Sequence, residues 1–150
     1  MHAVSDLTAN MGYLLRMVSN AVSQEFARKV ASEGVTVAEW ALLRSLYDSD
    51  PVAPSVLARK MGLTKGAISK LAERLLEKGL LQRTGNPDDK RGYRLSLSAA
   101  GLGKVPLLAA LADGNDAAFF AVLTSEERDG LRHLLAALID RHGLSAVPID

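Results

Sequence analysis

Leu57-Ala58-Arg59-Lys60-Met61-Gly62-Leu63-Thr64-Lys65-Gly66-Ala67-Ile68-Ser69-Lys70 is the stretch that decides the fold. Just before it, Pro54 suits the first turn of a short helix, where a missing N–H costs nothing, and Gly62 stops that helix. Thr64 is placed to cap a second helix running to Lys78, with Gly79 as its terminator. Ala58, Gly62 and Ile68 fall at offsets of four and six residues. Two helices crossing at a tight turn need a small residue, a turn glycine and a buried aliphatic at those places. The stretch reads as a helix-turn-helix.

Upstream, Leu7, Met11, Leu14, Leu15, Val18, Val22, Phe26 and Val30 recur at helical steps, predicting one long amphipathic helix from Asp6 to Ser32 that ends at Gly34. Thr36-Val37-Ala38-Glu39 is a capping-box pattern opening another helix through about Tyr47, followed by a turn from Asp48 to Pro51. Downstream, Leu81 and Arg83, then Tyr93, Leu95 and Leu97, alternate with a period of two, which predicts strands. The segment Gly85 to Gly92 between them is dense in turn formers and charge, so the pair reads as a β-hairpin around that loop. Ser98 can cap a fifth helix carrying Leu102, Val105, Leu108 and Leu111, although Gly101, Gly103, Pro106 and Gly114 argue against its continuity. Thr124-Ser125-Glu126-Glu127 opens a last helix with Leu131, Leu134, Leu135, Leu138 and Ile139, stopped near Gly143. The expected architecture is mainly α with a small β-hairpin.

In a helix-turn-helix the second helix presents its N-terminal side chains to the DNA major groove. Here those are Lys65, Gly66, Ser69 and Lys70, on the face opposite Ile68, Leu71, Leu75 and Leu76. Lysine donates to guanine O6 and N7, serine pairs with several bases, and Gly66 allows close approach of backbone to DNA. Thr64 and Arg74 suit phosphate contacts. Each lysine taken alone is equally at home on a solvated helix face; the set on one capped helix favours contact. Lys90 and Arg91 in the loop, with Arg83 and Arg94 on the strands, form a basic finger beside that helix, and an arginine at such a tip can enter a narrow minor groove. Asp89 can pair with Arg91, whereas Asp88 reads as an ordinary turn residue.

Charge supports this placement. The 150 residues carry a net charge of only +1, yet the window Ser55–Arg94 holds ten basic and four acidic residues, a balance of +6, leaving −5 elsewhere. Such segregation is an electrostatic footprint for a polyanion. The length suits a single domain, and 48% apolar residues supply a core. There are no cysteines, which excludes disulfides, thiolate metal sites and thiol redox sensing. Aromatic residues at 5% are too few for base-stacking platforms on single strands. The longest apolar run, Val105 to Ala112, is short for a membrane span, and the first residues lack signal-peptide character, so a cytoplasmic protein without a membrane partner is expected.

The quoted stretch, followed by Leu75-Leu76-Glu77-Lys78-Gly79-Leu80-Leu81-Gln82-Arg83, resembles the winged helix-turn-helix of the MarR transcription regulators. Asn86-Pro87-Asp88-Asp89-Lys90-Arg91-Gly92-Tyr93-Arg94-Leu95-Ser96-Leu97-Ser98-Ala99-Ala100-Gly101 is similar to that family's wing with its Asp-x-Arg signature. The motif match covers roughly residues 55–101, and the flanking helices agree in layout more than in sequence. The resemblance implies a winged helix-turn-helix over 36–98, with dimerisation helices over 5–34 and 99–143. It implies a homodimer straddling a pseudo-palindromic double-stranded operator, with half-sites about 10 bp apart or a multiple of that. In such a complex Asp89 would orient Arg91 for the minor groove, and Ser55 would touch phosphate.

The resemblance also implies repression relieved by a small-molecule effector, often an aromatic acid. Arg16, Trp40, Arg44 and Tyr47 are candidates for such a cleft by position, although Trp40 and Tyr47 equally suit boundary packing. No cofactor is expected, and His2, His133 and His142 form no pair at metal-ligand spacing. No G-x-S-x-G, H-E-x-x-H, P-loop or dinucleotide fingerprint suggests an enzyme. The alternative from another class is a winged-helix protein-interaction module without specific DNA binding.

Overall fold

The side chains named above as caps do set most helix boundaries. The computed structural model describes residues 3–145, the side chains of residues 86 and 89–91 excepted. Its helices are α1 (Met11–Ala31), α2 (Val37–Leu46), α3 (Pro54–Met61), α4 (Lys65–Glu77), α5 (Ala99–Phe119) and α6 (Ser125–Arg141). The strands β1 (Leu81–Asn86) and β2 (Asp89–Leu97) lie between α4 and α5. Thr36, Thr64, Ser98 and Thr124 each accept a bond from the backbone N–H three residues on, satisfying donors that a helix start leaves free. Gly62 turns the chain at φ +68°, in the left-handed region that glycine enters without steric cost.

Three expectations need correction. The first helix does not begin at Asp6: a single 3-10 turn, Leu7–Ala9, is set apart from α1 by Asn10 in an extended conformation. The hairpin is longer than alternation suggested. Its strands run through the polar segment to a two-residue turn, Pro87-Asp88, with a register shift between Gly85 and Asn86. Ladder bonds come from the backbone, so polar residues extend a hairpin that lies clear of the core. The fifth helix is continuous through Gly103, Pro106 and Gly114. Pro106 removes only its own N–H, and the carbonyl it leaves free belongs to exposed Leu102, within reach of water.

The core gathers α2, α3, α4, the hairpin and the first half of α5. Leu42, Leu43, Leu57, Met61, Ile68, Leu75, Leu95 and Leu108 are fully buried in it. Val52 joins the hairpin by an isolated antiparallel bridge to Leu95, with N–O distances of 3.1 and 2.8 Å, a third chain segment that the period-two reading did not show. The hairpin is seated on α5 by close approach: a Cβ at Gly101 would stand 2.1 Å from the Leu80 carbonyl oxygen. Ser98 reinforces that junction, its hydroxyl donating to the Gly79 carbonyl at 2.6 Å and its N–H to Leu80 at 3.1 Å.

The remaining helices are barely buried. α5 packs along α1, but α1 buries only Val30 and α6 buries no residue at all. Leu14, Leu15, Met17 and Val18 on α1, Leu102 and Leu107 on α5, and Leu134, Leu135, Leu138 and Ile139 on α6 are exposed. A cleft of about 790 Å3 runs between α1, the end of α5 and α6, lined by Val22, Phe120, Leu131, Leu135 and Ile139 among others. By length and composition, residues Ala99–Val122 reach what a membrane span needs, with a mean hydropathy of 1.3. Counting unbroken apolar runs overlooked this helix because Lys104, Asp113 and Asp116 interrupt them.

Candidate DNA interface

The turn between α3 and α4 is closed by backbone bonds. Gly62 N–H reaches the Ala58 and Arg59 carbonyls, and Leu63 N–H donates to Ala58 at 2.9 Å. Thr64 Oγ1 accepts from Ala67 N–H at 3.1 Å, which fixes the start of α4. On that helix Ile68, Leu71, Ala72 and Leu75 are buried and Leu76 half-buried, as a helical period demands. Thr64, Lys65, Gly66, Ser69, Lys70 and Arg74 are all exposed along the opposite side. Gly66 has open space around it, since an added Cβ would meet nothing nearer than Thr64 Oγ1 at 4.0 Å. The fold therefore does not require a glycine there. Ser55 is half-buried in the first turn of α3.

The hairpin divides its arginines. Arg83 shares a face with Leu81, Leu95 and Leu97, whereas Arg94 stands opposite Thr84 on the other face, as alternation along paired strands dictates. Exposed Arg83 lies over the Tyr93 ring, its Cζ 4.8 Å from the ring centroid. Arg94 pairs with Asp88 at 3.5 Å, so Asp88 is more than the ordinary turn residue expected from sequence. Lys90 and Arg91 belong to strand β2 and not to a loop. Their side chains, that of Asp89 and any Asp89–Arg91 pairing lie outside the described residues.

One basic residue of the window is drawn away from this face. Lys78, the C-cap of α4, donates to both carboxylate oxygens of Glu39 at 2.8 and 2.9 Å and to the Gly34 carbonyl at 2.8 Å. Glu39 is fully buried and completes the capping box, accepting from Thr36 N–H at 2.7 Å. Burial pushes its carboxyl up, but the bond from Lys78, the Thr36 N–H and the Lys78 charge outweigh that and hold it below its ordinary value. A second lysine, Lys104 of α5, reaches Glu33 at 3.1 Å. Sequence reading took Glu39 only as a helix cap and Lys78 only as part of a basic window. Their separation of 39 positions leaves no local signal of the pair.

The four effector candidates are dispersed. Trp40 packs edge-on against Phe26 with ring centroids 6.5 Å apart, Arg44 lies over Tyr47 at 5.7 Å, and Arg16 is exposed on α1. None of them lines the α1–α5–α6 cleft or a smaller one of about 190 Å3 beside Asn20 and Val37.

A capped helix with an exposed basic face, beside an antiparallel basic hairpin and flanked by long helices, defines the winged helix-turn-helix class of DNA-binding transcriptional regulators. Residues 33–92 match the model of the MarR family. A candidate transcriptional regulatory protein for the hcr operon of Thauera aromatica is 30% identical over 133 residues, covering 88% of this chain and 80% of that protein. The transcriptional repressor MdtR of Bacillus subtilis is 28% identical over 138 residues, covering 92% and 89%. The structure of a mutant of Escherichia coli MarR complexed with operator DNA superposes with a TM-score of 0.76 at 25% identity, over 86% of this chain and 93% of that one. The chain belongs to the MarR family.

Proposed function

We propose that the chain is a sequence-specific, double-stranded DNA-binding repressor. It acts as a homodimer on a pseudo-palindromic operator and is released by a small-molecule effector. The exposed face of α4 carries the reading: Lys65, Gly66, Ser69 and Lys70 read bases, while Ser55, Thr64, Arg74, Arg83 and Arg94 hold backbone phosphates. Asp89, Lys90 and Arg91 complete the wing, with Arg91 directed to the minor groove. The repressor named among the relatives and the operator complex of Escherichia coli MarR support this.

The homodimer follows from the unburied helices. A helix such as α6, with five aliphatic residues and none buried, is stable in water only when another surface covers it. A second copy offers the matching surface through α1, α5 and α6, and two-fold symmetry then presents two α4 helices to successive grooves. The effector, an aromatic acid in the simplest form, is proposed to involve Arg16, Trp40, Arg44 and Tyr47 once the dimer closes around α1 and α2. The test is selection of duplexes from a randomised pool, followed by gel shift with and without a panel of aromatic acids. Recovery of a two-fold symmetric site that Lys65→Ala and Lys70→Ala both weaken is the expected result. If binding is weak and indifferent to sequence, the protein-interaction module takes its place.

A further inference from the structure

Arg83 and Tyr93 sit diagonally across the hairpin, Tyr93 opposite Gly85 and Arg83 opposite Leu95, so both project from one face. Tyr93 is half-buried and packs against the core, which fixes its ring. Across the ladder Gly85 has no side chain, so nothing from that position competes for the exposed side of the ring. The Arg83 guanidinium occupies that side, Cζ 4.8 Å from the centroid, within the range of a cation–π contact. Arg83 keeps its hydrogen-bonding edge free for another acceptor, because stacking uses only the face of the guanidinium plane.

We infer that Tyr93 is a positioning residue that holds the Arg83 guanidinium extended from the wing to grip a DNA backbone phosphate. This rests on the DNA-binding reading above and adds to it a residue that carries no charge. An unstacked arginine loses most of its rotamer freedom on meeting a phosphate; one already laid on a fixed ring has lost much of it beforehand, so more of the contact energy appears as affinity. Arg94, paired with Asp88 on the opposite face, has no such ring beneath it among the described contacts.

The experiment is a double-mutant cycle on a duplex selected by the wild-type protein from a randomised pool, with affinity measured across a salt series. Arg83→Ala lowers the slope of log affinity against log salt by about 0.9, the signature of one lost phosphate contact. Tyr93→Leu weakens binding about two- to fivefold, Tyr93→Phe leaves it at the wild-type value, and Tyr93→Leu adds nothing in the Arg83→Ala background. If Tyr93→Leu melts early, Arg83→Lys replaces it in the comparison, keeping the charge and losing the planar stack, with the same fall in affinity and an unchanged slope. Additive losses, or a phenylalanine variant as weak as the leucine one, overturn the inference. So does an Arg83→Ala protein with wild-type affinity and slope, which leaves the α4 reading intact. Failure to select any duplex overturns the DNA reading itself.

Discussion

Replacing Lys78 with methionine isolates the dependence of a buried carboxylate on its ammonium partner. Glu39 is inaccessible to solvent while the Lys78 side chain is 38% exposed, so the two ends of the pair are unequal. Lys78→Met removes three donated bonds and leaves Glu39 with its Thr36 N–H alone. Stranding a buried charge costs about 3–5 kcal/mol. The carboxyl can escape part of that by taking up a proton. From an ordinary value of 4.5, doing so at pH 7 costs about 3.4 kcal/mol, at about 1.36 kcal/mol per pH unit. The loss in Lys78→Met is therefore expected near 3–4 kcal/mol. Glu39→Leu frees Lys78 to water and removes half of a capping box, at about 1 kcal/mol. The double variant then has no stranded charge and is more stable than Lys78→Met alone.

Urea unfolding followed by far-UV circular dichroism, at one protein concentration, measures all three. The pH dependence separates them further. In the wild type the Glu39 carboxyl lies below 4.5, so its contribution is complete above that value and is lost as pH falls through the lower folded one. In Lys78→Met the folded carboxyl rises above 4.5, so the penalty is full near neutrality and shrinks as pH falls toward about 5. A double variant less stable than Lys78→Met, or a Lys78→Met penalty that ignores pH, refutes the reasoning.

Other outcomes follow from the same geometry. Gly66→Ala gains up to about 1 kcal/mol of helix stability, because the added methyl meets open space, yet it weakens operator binding by blocking close approach; a rise in both melting temperature and affinity contradicts that role. Gly101→Ala forces a methyl toward the Leu80 carbonyl and costs about 1–3 kcal/mol or more by thermal melting. Leu134→Glu with Leu138→Glu leaves the core untouched but yields a monomer in sedimentation, with DNA affinity falling by orders of magnitude. Arg91→Ala weakens specific binding by about 1–3 kcal/mol if its side chain reads the groove.

What could be read from sequence was what local chemistry determines. Thr36, Thr64, Ser98 and Thr124 announce helix starts because a cap acts on a donor three residues away, and Gly62 and Gly79 announce stops for a similar reason. The exposed α4 face follows from the same short period. Long-range pairings left no such trace. Lys78 with Glu39, Lys104 with Glu33 and Val52 with Leu95 depend on how distant segments pack, and any of the basic residues could have filled those roles. The hairpin hid its length because the outer rungs bury nothing, so hydrophobic alternation stops before the backbone ladder does. Pro106 misled for the opposite reason: its local penalty is real, but packing around α5 outweighs it.

Only Ser98 separates strand β2 from α5, and Gly101 presses that helix onto Leu80 within its first turn. The hairpin and α5 thus have little slack between them and behave as a rod with a reader at one end. A 21-residue helix is about 31 Å long at about 1.5 Å per residue. Pivoting such a rod by about 6° displaces its far end by about 3.3 Å, close to the roughly 3.4 Å rise of a base pair. In the proposed dimer, a few degrees of tilt where two α5 helices meet therefore amount to a whole base-pair step in half-site spacing. An effector need not unfold or uncover anything to dislodge this protein; a small wedge at the α5 pivot suffices.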